Sequence, residues 1–107
     1  MKFMTLREVC ESMNISRRVV QGYEKAKLVS ATGKNEYGHL LYDEEAQNRI
    51  RQIRLYQELG FMIKEIKEII DAPIDIRNER IRKQIKKIEE EKKMMDVRIS
   101  KANELIK

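Results

Sequence analysis

The last third of the chain sets the tightest limit on what it can fold into. Ile74, Ile81, Ile88, Met95 and Ala102 recur every seven residues, and Asn78, Ile85, Lys92, Ile99 and Ile106 recur every seven with an offset of four. These are the a and d positions of a coiled coil, held over four heptads. The pattern predicts one helix of about 30 residues, roughly 45 Å long at about 1.5 Å per residue. Its own helix offers so narrow a stripe nothing to cover it. The segment therefore requires a partner helix, and the simplest partner is a second copy of the chain.

Flanking charge decides which way the two copies run. In a parallel pair Lys92 would face Lys92 of the partner subunit, Arg77 would approach Arg82 of the partner subunit, and Glu91 would approach Asp96 of the partner subunit. All three contacts repel. In an antiparallel pair, the register that sets Ile74 against Ile106 of the partner subunit also sets Ile81 against Ile99, Ile85 against Met95, Ile88 against Lys92 and Asn78 against Ala102. Arg82 then meets Asp96 of the partner subunit twice, at the expense of one Glu89 and one Glu91 self-approach beside the two Lys92 cations. Each exposed pair is worth only ~0.2–1 kcal/mol, but the signs mostly agree. We expect an antiparallel homodimer whose seam is Ile74, Asn78, Ile81, Ile85, Ile88, Lys92, Met95, Ile99, Ala102 and Ile106.

With 107 residues in all, what remains is enough for one small domain, which leaves no room for an enzyme with separate cofactor and substrate lobes. Lys and Arg number 23 against 18 Asp and Glu, a formal charge of +5. Residues 1–42 carry +3, residues 43–73 carry −2 and residues 74–107 carry +4. A basic front end suits a polyanion, although so small a surplus decides little alone. Apolar runs such as Phe61-Met62-Ile63 fall far short of the roughly 20 residues that cross a bilayer. Arg7 and Glu8 interrupt the start before a signal-peptide core can form. A lone Cys10 can form no intramolecular disulfide. These features lead us to expect a cytoplasmic protein with no membrane partner.

Along residues 1–42, Thr5-Leu6-Arg7-Glu8 has the pattern of a capping box, and Leu6, Val9, Cys10 and Met13 follow at helical spacing. A first helix is predicted from about Leu6 to Met13. Ser16 is a good N-cap for a second, with Val19, Val20, Tyr23 and Ala26 as its apolar stripe. Two short helices joined by about three residues have the spacing of a helix-turn-helix. The helical period then disappears, and Leu28-Val29 and Leu40-Leu41-Tyr42, around the turn-rich segment 32–38, are predicted to pair as a two-stranded wing. Asp43 is a plausible N-cap for a third helix through Ala46, Ile50, Ile53 and Tyr56, ended by Gly60. A shorter fourth runs from Phe61 to Asp71, before Pro73. The expected fold is mainly α: a winged helix-turn-helix with a small two-stranded β wing, then a helix pair and a long C-terminal coiled-coil helix. The expected domains are residues 1–72 for DNA binding and 73–107 for dimerisation.

This order of elements and several local strings resemble the mercury-resistance regulator (MerR) family of bacterial transcription factors, over the whole chain. Ser16-Arg17-Arg18-Val19-Val20-Gln21-Gly22-Tyr23-Glu24-Lys25 is similar to that family's recognition helix. Gly38-His39-Leu40-Leu41-Tyr42-Asp43-Glu44-Glu45 resembles its wing strand and the start of helix three, and Leu59-Gly60-Phe61-Met62-Ile63-Lys64-Glu65-Ile66 resembles its helix-loop-helix before the linker. The family usually has Arg-Tyr where this chain has Gln21-Gly22, Gly where it has Lys27, and Tyr-Arg where it has His39-Leu40. The resemblance implies a dimeric regulator that binds promoters with an overlong spacer and bends and untwists them so that RNA polymerase can engage. Many members carry an effector domain or metal-binding cysteines after the coiled coil. This sequence reaches Lys107 with neither, and is expected to be either a truncated piece or a short form without an evident effector domain, which senses nothing through such a site.

A helix fits the major groove, and the N-terminal residues of the second helix point at base edges. We expect DNA contacts from Ser16, Arg17, Arg18, Gln21 and Tyr23 on that helix, from Lys34, Asn35 and His39 in the wing, and from Lys64 in the second loop. The wing and loop residues would hold phosphates and set register without reading sequence. Cys10 reads as a buried core thiol, and His39, the only histidine, as a wing residue, since metal sites recruit several such ligands. No cofactor is expected. Neither a Gly-rich phosphate loop nor a Ser/His/Asp set is visible, so no catalytic residues are expected. The alternatives are a DNA-architectural factor and a protein-interaction module with weakened DNA binding.

Overall fold

In the computed structural model, which describes residues 2–107, the chain divides into two compact units that meet between Ile70 and Asp71. The first holds β1 (Met4–Thr5), α1 (Leu6–Met13), α2 (Arg17–Lys25), β2 (Gly33–Lys34), β3 (Leu40–Tyr42), α3 (Glu44–Glu58) and α4 (Ile63–Ile69). The second holds α5 (Ile74–Leu105), one helix of 32 residues.

Helix starts follow the side chains that satisfy free backbone N–H groups. At the head of α1 the Thr5 hydroxyl accepts from the Glu8 N–H at 3.2 Å and the Glu8 carboxylate accepts from the Thr5 N–H at 2.9 Å. This is the capping box expected there. The Ser16 hydroxyl accepts from the Val19 N–H at 3.2 Å, and an Asp43 carboxylate oxygen accepts from the Ala46 N–H at 2.8 Å. For α4, whose Met62 has no polar cap, the Glu65 carboxylate accepts from the Met62 N–H at 3.0 Å.

Three helices end with a residue in the left-handed region: Asn14 (φ 52°), Lys27 (φ 62°) and Gly60 (φ 99°). After α2 the Lys27 N–H donates to the Glu24 carbonyl and the Leu28 N–H to the Tyr23 carbonyl. After α3 the Gly60 N–H donates to the Gln57 carbonyl and the Phe61 N–H to the Tyr56 carbonyl, which is the same pair of bonds. The second motif carries its customary apolar contact, with the Phe61 ring edge-on to Tyr56 at 5.8 Å.

The core of this unit is Val9, Ile15, Val20, Tyr23, Leu28, Val29, Tyr42, Ala46, Ile50, Ile53, Tyr56, Phe61, Ile66, Ile69 and Ile70. Gln47, the one buried polar side chain among the described residues, donates to the carbonyls of Tyr42 (2.9 Å) and Lys2 (3.0 Å) and so fastens the N-terminal segment to the head of α3. Tyr42 donates to Glu24, and Tyr23 donates to Gln57. Burial pushes the ionisation of both phenols upward, and for Tyr42 the neighbouring Glu24 carboxylate pushes it further. Cys10 is half-buried rather than fully covered.

The sheet differs from the expected ribbon. It has three antiparallel strands in the order β1-β3-β2, with Met4 opposite Tyr42, Thr5 opposite Leu41, Gly33 opposite Leu41 and Lys34 opposite Leu40. Leu28-Val29 is not a strand: the Leu28 N–H closes α2 and both side chains fill the core. The wing turn is tight. Asn35 and His39 are joined by a backbone bond, so pairing starts immediately beside them and leaves no place for residues 28–29. The fourth helix also starts later than expected, because Phe61 completes the exit from α3 before Met62 opens α4.

Among the described residues no helix is long and apolar enough to cross a membrane. Of the residues with φ near +60°, Lys27 alone is of a type that has no local reason to adopt it; a side chain in this region costs about 1–2 kcal/mol. Lys27→Gly is expected to raise stability by about 0.5–1 kcal/mol in chemical denaturation. A loss of stability would show that the Lys27 side chain contributes more than its backbone strain takes away.

Candidate nucleic-acid interface

The two faces of α2 are sharply divided. Val20 and Tyr23 are buried, whereas Arg17, Arg18, Gln21, Gly22 and Lys25 are exposed. The buried pair anchors the helix to the domain, and the Ser16 cap fixes where its first turn begins, so the outward set is held on a rigid element. A Cβ added at Gly22 would meet nothing within 4 Å. The exposed face is therefore bare where the resembling family usually carries an aromatic ring.

The wing stands on Asn35. Its side-chain oxygen accepts from the N–H groups of both Tyr37 and His39, each at 2.9 Å, and the Gly38 N–H donates to the Asn35 carbonyl at 3.0 Å. Gly38 takes φ 81°, a conformation glycine adopts without penalty. This leaves Tyr37 at the tip, 76% exposed, with its ring 6.3 Å from that of His39. The Thr32 hydroxyl accepts from the Asp43 N–H at 3.0 Å and ties the base of the wing to the start of α3.

Between these parts lies an open cleft of about 500 Å³, lined by Thr5, Leu6, Arg7, Arg17, Gln21, Gly38, His39 and Leu40. Two arginines and no carboxylate line it. Arg7 is tied to Glu11 by an exposed pair at 3.1 Å. The cleft thus gathers the first turn of α1, the outward side of α2 and the end of the wing turn into one basic concavity.

Of the residues singled out in the sequence, Arg17, Gln21 and His39 come together at this cleft. Arg18 is exposed on α2 outside the lining, Lys34 is exposed on β2, and Lys64 is exposed in the first turn of α4. Three others have structural duties. Ser16 caps α2, and Asn35 holds the wing turn together. Tyr23 is only 2% exposed, with its hydroxyl on Gln57, because the helical spacing that aligns it with Val20 turns it into the core. It lies on the apolar stripe that the spacing predicts, so the ring expected to contact DNA is covered by the core rather than presented on the exposed face. Sequence reasoning passed over two residues. Arg7 reads as half of an i, i+4 surface pair, and Tyr37 as one letter of a turn. A lone aromatic at the centre of a Gly- and Asn-rich turn was the available signal for the latter.

Comparison with known proteins adds to this picture. Residues 4–73 match the family model for MerR HTH family regulatory proteins, and residues 47–107 match the model described as MerR, DNA binding. The nodulation protein NolA of Bradyrhizobium diazoefficiens is 34% identical over 82 residues, 77% of this chain and 34% of that protein. The chain thus spans about a third of the length of the nodulation proteins it matches. Among solved structures, MtaN, the N-terminus of the Bacillus subtilis multidrug transporter activator, superposes with a TM-score of 0.77 at 27% identity, covering 97% of this chain and 99% of that one. HiNmlR, a MerR family regulator lacking the sensor domain and bound to promoter DNA, shares the fold with a TM-score of 0.75 at 20% identity, covering 92% and 80%.

The capping box beneath the cleft has a pH signature. The Thr5 N–H and hydroxyl hold the Glu8 carboxyl below its ordinary value of 4.5. A carboxyl whose folded value is depressed adds stability above the unfolded value and loses it as pH falls. Glu8→Gln keeps an oxygen for the Thr5 N–H but cannot titrate. Denaturation midpoints measured from neutrality to below pH 4.5 are expected to fall less steeply for this variant than for the parent. Identical acid limbs would contradict the assignment.

Proposed function

The chain belongs to the MerR family of helix-turn-helix regulatory proteins, and from that premise we propose that it regulates transcription by binding promoter DNA as an antiparallel homodimer. The observation that carries this reading is the basic cleft, where the exposed side of α2 meets the wing with no carboxylate in its lining. HiNmlR, with the same fold, is bound to promoter DNA, which supports it.

In this reading residues 1–72 bind DNA and residues 73–107 dimerise. Arg17, Arg18 and Gln21 enter the major groove, where an arginine suits guanine and a glutamine amide suits adenine. Lys34, His39 and Lys64 hold phosphates on either side and fix the register. Ser16, Tyr23 and Asn35 act indirectly, through the cap, the core and the wing turn. Two copies related by a two-fold axis would read a pseudo-palindromic site. Bending and untwisting that site costs several kcal/mol, a demand that a stiff paired helix is suited to sustain while RNA polymerase engages.

Binding to duplex promoter fragments from the gene's own neighbourhood, followed by fluorescence anisotropy over a salt series, tests this. Affinity should fall steeply as salt rises, because phosphate contacts release counterions. Arg17→Ala is expected to cost about 1–3 kcal/mol and relax sequence preference, and Lys34→Ala to lower the salt slope by about one. A chain that ignores duplex DNA at every salt concentration would instead favour a protein-interaction module, consistent with the bare Gly22 position on α2.

A further inference from the structure

We infer that Lys92 makes pairing through α5 selective for one orientation and for a second copy of this chain, at a cost in affinity. The inference rests on the homodimer reading above. No residue of α5 is buried within its own chain. Along its stripe Ile85 is 50% exposed, Ile88 39%, Met95 55% and Ile99 60%, and Lys92 interrupts this run in the middle. An unbroken isoleucine stripe would pair in either direction and with many similar helices, and a polar residue at a single a position is the usual means of preventing it.

The local sequence makes the device specific. In the register that sets Ile74 against Ile106 of the partner subunit, the two-fold axis passes at the level of Glu90. The two Lys92 ammonium groups are then offset by about 6 Å along the axis, at about 1.5 Å per residue. Each stem can lie along Ile88 of the partner subunit while its head reaches the carboxylates of Glu89 and Glu91 from both copies. Two cations thus sit among four anions, and each sign neutralises the repulsion the other would suffer alone.

Other arrangements lose this match. In a parallel pair the two ammonium groups lie level across the seam and both must withdraw from it. A foreign helix with an ordinary apolar seam offers no carboxylates here and leaves Lys92 uncompensated. Selectivity of this kind comes from penalising the wrong partner more than the right one. Burying an isoleucine outweighs an exposed ion pair, so removing the cation should strengthen association while abolishing the discrimination.

The test uses the full chain with Cys10→Ala as reference, because Lys92 is exposed and its substitution leaves the first unit untouched. Ile74→Cys alone can form a disulfide with itself only in a parallel pair. Ile74→Cys mixed with Ile106→Cys forms one in the antiparallel pair. The reference is expected to link only in the mixture. Lys92→Ile should tighten the dimer at least about tenfold in sedimentation equilibrium and let Ile74→Cys link to itself. Lys92→Glu, which places six carboxylates at the axis, should weaken the dimer at neutral pH and regain affinity on acidification. If Lys92→Ile still links only in the mixture, or Lys92→Glu pairs as well as the reference at neutral pH, the inference is overturned while the dimer stands. A monomeric reference would overturn the dimer reading itself, and this inference with it.

Discussion

A helix of 32 residues without a single buried side chain is the constraint around which the rest of the account turns. Isolated helices owe most of their stability in proteins to the packing of an apolar face, and α5 presents such a face without packing it inside its own chain. Six isoleucines lie on the seam, and each is worth about 1.5–3 kcal/mol when fully covered. Against them stand one lysine and one asparagine. The balance favours covering the stripe, and a second α5 has the matching seven-residue period. Pairing through α5, as proposed, would place two copies of the first unit in one molecule.

The first unit is organised to hold its reading helix rigid. Val20 and Tyr23 lock one side of α2 into the core, Tyr23 reaches Gln57 on α3, and Glu24 accepts from Tyr42 on β3. The exposed arginines therefore project from an element tied to two others, α3 and β3. Beside it the wing is fixed by the paired acceptance of two N–H groups by Asn35 and by the bond from Asp43 to Thr32. In the proposed reading, rigidity on both sides of the cleft would let a few side chains recognise a duplex without losing much conformational entropy on binding.

Much of this was legible because the signals are local. Thr5, Ser16 and Asp43 cap helices within three residues of themselves, Gly60 sits where α3 must turn, and the heptads of α5 are a period that can be counted. The strands were not legible in the same way. Two residues at Met4–Thr5 and two at Gly33–Lys34 are too few to show an alternation, and their pairing depends on β3, up to 38 residues away. Leu28-Val29 looks like a strand by composition, yet its backbone closes a helix. Helical spacing puts Tyr23 with Val20 on the inward stripe, whereas the string shared with the family points to a DNA contact at the same residue, and the buried ring follows the spacing. Lys27 was the converse case. Its departure from the family's glycine was visible in sequence, and the positive φ supplies the physical reason that a glycine is usual there.

Sedimentation equilibrium of the intact chain at micromolar concentration, beside a variant carrying both Ile81→Asp and Ile99→Asp, tests whether α5 pairs two copies through its apolar seam. These two positions face each other in the antiparallel register, so the variant sets carboxylates against one another twice in each pair. The parent is expected to sediment as a dimer and the variant as a monomer, with the fold of the first unit preserved in its circular dichroism. A parent that sediments as a monomer, or a variant that remains a dimer, would contradict that pairing.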